Sequence, residues 1–245
     1  LDQFVYRVSH DMRSPLSSLM GLINLIRIEK TPSQDSEYIN MLEDQVHKLD
    51  TFLNSMLNFS KASRGQSQHE LIRFDEVIDD CLAEFEGHPN YYQLMVNVNI
   101  EGDQYAFAND LTRLKIIIRN LLSNAFEYLN PSTEMPFLYI YVKIEPDTCR
   151  LMFDDNGIGI AYECLDKVFN MFYRASELSN GSGLGLYIVQ QAIQKLNGVI
   201  QLESSEKVGT KIKIELPNLA QNNRVDQTQE EEDHIEAIKK KRFRA

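Results

Sequence analysis

The sequence predicts a multidomain chain, α and then α+β. An antiparallel helical hairpin that dimerises into a four-helix bundle precedes an α/β sandwich domain. Three observations carry this. Apolar residues recur at helical spacing in two runs separated by Thr31-Pro32-Ser33. A polar stretch from Ser60 to His69 then gives way to alternating strands and separate helices. Glycine-rich segments stand at element junctions in that second part, at Asp155-Asn156-Gly157-Ile158-Gly159-Ile160 and Gly181-Ser182-Gly183-Leu184-Gly185-Leu186.

The first run holds Phe4, Val5, Val8, Met12, Leu16, Leu19, Met20, Ile23 and Ile26. Pro32 disfavours helix before it, and the flanking Thr and Ser can cap the next helix. The second run holds Ile39, Leu42, Val46, Leu49, Phe52, Leu53, Met56 and Leu57. One such hairpin leaves an apolar stripe uncovered, and pairing two copies buries it, which predicts a homodimer. The domains read as 1–62 for the hairpin, 63–69 for a linker, 70–219 for the sandwich and 220–245 for a charged, disordered tail.

Within the sandwich, Glu70 to Phe74 reads as a short strand and Asp75 as the start of a helix. Leu94 to Ile100 alternates as a strand does, with another at Gln104 to Ala108. Asp110 to Leu129 is the strongest helix here, with Asp110 as N-cap. Phe137 to Ile144 and Cys149 to Phe153 form a hairpin turning at Glu145-Pro146-Asp147. Leu184 to Leu196 is a helix closed by Asn197-Gly198. Val199 to Ser204 and Thr210 to Leu216 make a second hairpin.

Composition narrows the function. A formal net charge of -11 argues against a non-specific nucleic-acid binder. Cys81, Cys149 and Cys164 lack metal-type spacing, and their odd, sparse count suits a reducing cytoplasm. They read as half-buried small hydrophobes. No apolar run approaches the ~20 residues of a membrane helix, so no membrane contact is expected within this stretch. The chain opens at Leu1-Asp2-Gln3-Phe4, without Met and already in helical rhythm, and so reads as a fragment of a longer protein.

Several side chains point to phosphoryl chemistry. His10 sits among polar Ser9, Asp11 and Arg13, and Pro15 bends the helix five residues on, so the imidazole can face solvent. A neutral, positioned imidazole is a nucleophile toward phosphorus. Asn120 and Asn124 are four apart on one helix face, which Glu127 and Tyr128 extend. A carboxamide oxygen is a fair Mg²⁺ ligand beside phosphates. A buried Asp155 can accept from the exocyclic amine of a base. The glycine-rich run into Leu186 opens a helix whose free N–H groups attract anions, yet it lacks the Gly-Lys-Ser/Thr of a P-loop. Between the glycine segments, Phe169 and Phe172 anchor a segment to the core, Arg174 can reach a phosphate, and Ala175 to Asn180 has the composition of a lid.

These segments, in this order, resemble the catalytic core of a two-component sensor histidine kinase. Ser9 to Leu16 resembles its phosphoacceptor box and Asn120 to Tyr128 its N box. Asp155 to Ile160, Phe169 to Arg174 and Gly181 to Leu186 resemble its first glycine, F and second glycine boxes. The likeness spans roughly residues 1 to 217. It implies a Bergerat-type ATP-binding domain joined to a dimerisation and phosphotransfer hairpin. By that likeness His10 is phosphorylated and Asp11 is its assisting acid. Asn124 holds Mg²⁺, Asn120 supports the triphosphate, and Asp155 binds the adenine amine. Gly157, Gly159, Gly183 and Gly185 shape the pocket, with Tyr173 and Arg174 near the phosphates. Tyr128, Gly181, Ser182, Leu184 and Leu186 complete the expected nucleotide-contacting set.

The implied reaction is ATP-dependent autophosphorylation of His10 and transfer to an aspartate of a response-regulator receiver domain. Two positions depart from the family pattern. Glu127 stands where the family commonly has Lys, which motivates a nucleotide-sensing dimer with little kinase activity as one alternative. Ser14 stands where members with phosphatase activity often carry Thr or Asn, and a phosphatase-dominant member is the other.

Overall fold

The computed structural model describes residues 15–26, 38–43, 45–46, 49–50, 53, 56–57, 69–102, 104–175 and 183–220. The expected inter-helix loop, nearly all of the linker, the core of the lid and the charged tail lie outside them. Residues 15–26 are helical (α1), as are 38–43 (α2), and helix recurs at 45–46, 49–50, 53 and 56–57. The apolar residues of α1 divide into two sets. Leu22 is buried and Leu19 and Ile26 half-buried, while Leu16, Met20 and Ile23 stay exposed. The second run divides likewise: Leu42, Leu49 and Met56 are half-buried and Ile39, Val46, Leu53 and Leu57 exposed. Spacings of seven put each set on one side of its helix.

The sandwich begins with β1 (Glu70–Leu71), α3 (Phe74–Ala83), β2 (Met95–Glu101) and β3 (Ala108–Asn109). It continues through α4 (Leu111–Glu127), β4 (Phe137–Ile144), β5 (Thr148–Asp155), a 3₁₀ turn (Tyr162–Lys167), α5 (Gly185–Lys195), β6 (Val199–Ser205) and β7 (Gly209–Pro217). The expected strand Glu70 to Phe74 is cut to two residues because Phe74 already opens α3, its ring buried and tilted against Phe107 at 5.1 Å. The strand expected from Gln104 is likewise only Ala108–Asn109, paired antiparallel with β1. Hydrophobic burial decided both cases over local alternation.

Five strands form one mixed sheet in the order β2-β4-β5-β7-β6. β2 runs parallel to β4, with Met95 opposite Phe137, and the remaining pairs are antiparallel. Leu138, Ile140, Leu151, Phe153, Ile212 and Ile214 point from one face into the core shared with α3, α4 and α5. The other face is polar and carries ion pairs such as Lys211–Asp154 at 2.7 Å and Lys213–Glu203 at 2.6 Å. That is the inside-outside alternation of a sheet covered by helices on one side. Cys81 and Cys149 are fully buried in this core, not half-buried, and desolvation pushes the Cys81 thiol up to about 11.

The cap of α4 is the one the sequence predicts. Asp110 Oδ1 accepts from the Arg113 backbone N–H at 2.9 Å, and the Asp110 carboxylate pairs with the buried Arg113 guanidinium. Two asparagines tie this helix start to the end of β7. Asn109 Nδ2 donates to the Pro217 carbonyl at 2.9 Å. Asn218 donates to the carbonyls of Ala106 at 2.8 Å and Glu145 at 3.0 Å, and accepts from the N–H groups of Ala108 and Ala220, both at 3.2 Å. Asn218→Ala is expected to lower stability by about 2 kcal/mol, since half-buried backbone groups lose their partners. An unchanged denaturation midpoint would show that solvent replaces all four bonds.

Candidate functional site

A cavity of about 870 Å³ opens between α4, α5 and the sheet, within the size range of small-molecule sites. One wall is α4. Its Asn120 and Asn124 share a face, as their spacing requires, with Glu127 and Tyr128 one turn on. Asn120 Nδ2 donates to the Ile116 carbonyl at 2.7 Å, which orients its amide oxygen outward. The facing wall is the first turn of α5. A Cβ added to Gly185 would lie 3.3 Å from Asn120 Oδ1 and 3.7 Å from Asn124 Oδ1. Glycine at that position therefore leaves a cradle between two carboxamide oxygens and a helix N-terminus.

The opposite end is built from the first glycine segment. Asp155 ends β5, and its Oδ1 accepts from Gly157 N–H at 2.9 Å and Thr210 N–H at 3.2 Å. Its Oδ2 takes no donor among the described residues. Burial raises the carboxyl above its ordinary value, opposed by those two backbone donors. The turn cannot spread. Ile158 N–H donates to the Tyr128 carbonyl at 2.9 Å and Lys207 N–H to the Ile158 carbonyl at 2.6 Å. Gly159 sits at φ +66, where a Cβ would fall 1.9 Å from the Ser205 carbonyl oxygen. Gly157 does not line the cavity, but a Cβ there would meet the Tyr128 carbonyl oxygen at 2.4 Å, so it sets the shape from behind.

The raised Asp155 carboxyl has a consequence for stability. Its folded form holds the proton more tightly than the unfolded chain, whose aspartate titrates near ~3.9. The ligand-free fold is therefore favoured at low pH and loses stability as pH rises from there through the folded value. Relative to the native chain, Asp155→Asn is expected to gain stability over that window and then hold a constant advantage toward neutrality. Denaturation midpoints of both chains across the acid range test this, and parallel curves would refute it.

Of the other expected site residues, Tyr128, Tyr173, Arg174, Gly183 and Leu186 line the same cavity. Leu184 does not: it is fully buried in the core, and its role is to seat α5. His10, Asp11, Ser14, Gly181 and Ser182 lie outside the described residues. The segment after the 3₁₀ turn is anchored by buried Val168 and by Met171 and Phe172 packed on the core, while Phe169 is half-buried. Phe172 takes φ 63, and a Cβ added to Gly183, at φ +68, would fall 2.8 Å from the Phe172 carbonyl carbon, so both flanks of the expected lid meet there. The Cys164 thiol beside the Tyr173 hydroxyl raises the tyrosine's pKa. Thr210, Glu206, Lys207, Asn130, Ser132 and Thr133 also line the cavity and carry no motif that sequence reasoning could have used.

The donor set fits a hard cation carried by phosphate. Carboxamide oxygens converge, yet among the described residues no three His, Cys, Asp or Glu side chains gather to hold a metal unaided. No helix among the described residues is long and apolar enough to cross a membrane.

Residues 1–65 match the family described as His Kinase A (phospho-acceptor) domain, and residues 109–220 match the family described as histidine kinase-, DNA gyrase B-, and HSP90-like ATPase. The methanogenesis regulatory histidine kinase FilI of Methanothrix harundinacea is 33% identical over 223 residues, covering 89% of this chain and 24% of that protein. Histidine protein kinase SaeS of Staphylococcus aureus is 28% identical over 224 residues, covering 89% of this chain and 64% of SaeS. This chain therefore spans only part of the length of the relatives it matches. The crystal structure of histidine kinase ThkA in complex with response regulator protein TrrA shares the fold, with a TM-score of 0.68 at 22% identity, over 88% of this chain and 61% of that one. On the two matched domains, their order and the shared fold, the chain belongs to the histidine kinase family, of which it holds the catalytic core.

Proposed function

We propose that the chain transfers the γ-phosphoryl group of ATP to His10 and from there to an aspartate of a response-regulator receiver domain. The observation that carries this is the cavity itself, where an amine acceptor lies at one end and two carboxamide oxygens face a helix N-terminus at the other. Asp155 Oδ2 would accept from the adenine amine, with Gly157 and Gly159 keeping the backbone clear of the ring. The α5 N-terminus at Gly183 and Gly185 would receive the phosphates, beside Tyr173 and Arg174. Asn124 would ligate Mg²⁺ and Asn120 would orient the triphosphate. Held there, the ion would supply positive charge to offset that of the phosphoryl group.

His10 would be the nucleophile and Asp11 would take its spare proton, directly or through water. Ser14, four residues on, would stand beside the phosphorylated imidazole where the stretch is helical. The exposed apolar set Leu16, Met20, Ile23, Ile39, Val46, Leu53 and Leu57 supports a homodimer through the hairpin. The complex named for ThkA supports a receiver domain as partner. Incubation with γ-labelled ATP and Mg²⁺ should yield an acid-labile, base-stable adduct that mass spectrometry maps to His10. A label mapped to a hydroxyl side chain would overturn the reading.

A further inference from the structure

Five charged side chains line the cavity among the described residues: Arg174 and Lys207 against Glu127, Asp155 and Glu206. Two of the three carboxylates belong to the far end. Asp155 is bound to Gly157 and Thr210, and Glu206 lies in the turn that covers Gly159. Glu127 is different. It stands on α4 three residues past Asn124 and seven past Asn120, so all three share one stripe of the helix. Ser123 Oγ donates to Glu127 Oε1 at 3.1 Å, and Oε2 takes no donor among the described residues.

A carboxylate and a triphosphate are both anionic, and both only accept hydrogen bonds. Side by side in one cavity they repel, and no rearrangement of protons on nearby hydroxyls changes the sign. A divalent ion between them does. Mg²⁺ takes six oxygens and is commonly held by one or two carboxylates together with phosphate oxygens and water. Asn120 Oδ1, Asn124 Oδ1 and a free carboxylate oxygen of Glu127 on the same wall are donors of that kind. We propose that Glu127 is a ligand, direct or through one water, of the divalent ion that accompanies the nucleotide, and that it makes this ion obligatory for triphosphate binding. The inference rests on the reading of the cavity as an ATP site.

Calorimetric titration of the full chain with ATP, from chelated to saturating Mg²⁺, tests it on native and Glu127→Gln proteins. Adenosine serves as a ligand that needs no metal. With Mg²⁺ chelated, the variant should bind ATP more tightly than the native chain, because repulsion is gone. At saturating Mg²⁺ it should bind about tenfold more weakly, because a ligand is gone. The two affinity curves therefore cross, and adenosine affinity is unchanged. Glu127→Lys should bind ATP in chelator and lose most of its Mg²⁺ dependence. A Gln variant that binds more tightly at every Mg²⁺ concentration would reduce Glu127 to a repulsive group and overturn the proposal. Superimposed curves would place it on a solvent face and overturn it as well. If the native chain bound neither ATP nor adenosine, the ATP-site reading would fail first, an outcome the adenosine arm separates from the other two.

Discussion

His10→Gln is expected to abolish labelling by γ-labelled ATP, by at least ~1000-fold, while leaving ATP affinity within about twofold. Gln keeps polarity and approximate length but has no lone pair of comparable nucleophilicity, because amide resonance withdraws the nitrogen's electrons. Nothing else in Ser9 to Leu16 can substitute: Asp11 forms an acyl phosphate that hydrolyses readily, and Ser9 and Ser14 are unactivated hydroxyls. Binding should persist because the described residues that line the cavity all lie at position 120 or beyond, far from position 10 in the chain. Filter-bound label and calorimetric affinity, measured on the same preparation, separate the two effects. Undiminished label on the variant would remove His10 from the reaction.

Asp155→Asn is expected to weaken ATP and adenosine equally, on the order of 100-fold. The two carboxylate oxygens are not equivalent. Two backbone N–H groups, of Gly157 and Thr210, already bond to Oδ1. An asparagine here must keep its oxygen on those donors, since turning the amide over would set N–H against N–H. Its NH₂ group then stands where Oδ2 would accept from the base, and an adenine amine would meet a donor instead of an acceptor. A base with a carbonyl at that position suits the variant better, so the preference for ATP over GTP should narrow. Competition of both nucleotides against a fluorescent analogue reads both effects. An unaltered preference would mean that Asp155 does not face the base.

Much of this architecture was legible in local sequence. The α4 cap at Asp110, both hairpins and the four residues lining one helix face follow from spacing and turn chemistry alone. Ends of elements were less legible. Phe74 belongs to a helix because its ring packs on Phe107, and no neighbour in sequence announces that partner. Leu184, inside a glycine-rich segment, reads as a contact residue but is swallowed by the core, since a helix start must bury one side to be held in place.

The same division runs through the site. Glycine-rich segments announced the junctions between elements, and paired asparagines announced a shared helix face, because those properties are local. Nothing local announced that the amide oxygens of Asn120 and Asn124 would meet Gly185, or that Thr210 would hold one oxygen of Asp155 and free the other. Those contacts join residues 55 to 65 positions apart, brought together by the pairing of β5 with β7 and the packing of α5 on α4. Residue type and periodicity select the groups a chain can offer, whereas only burial of a common core sets which of them share one cavity.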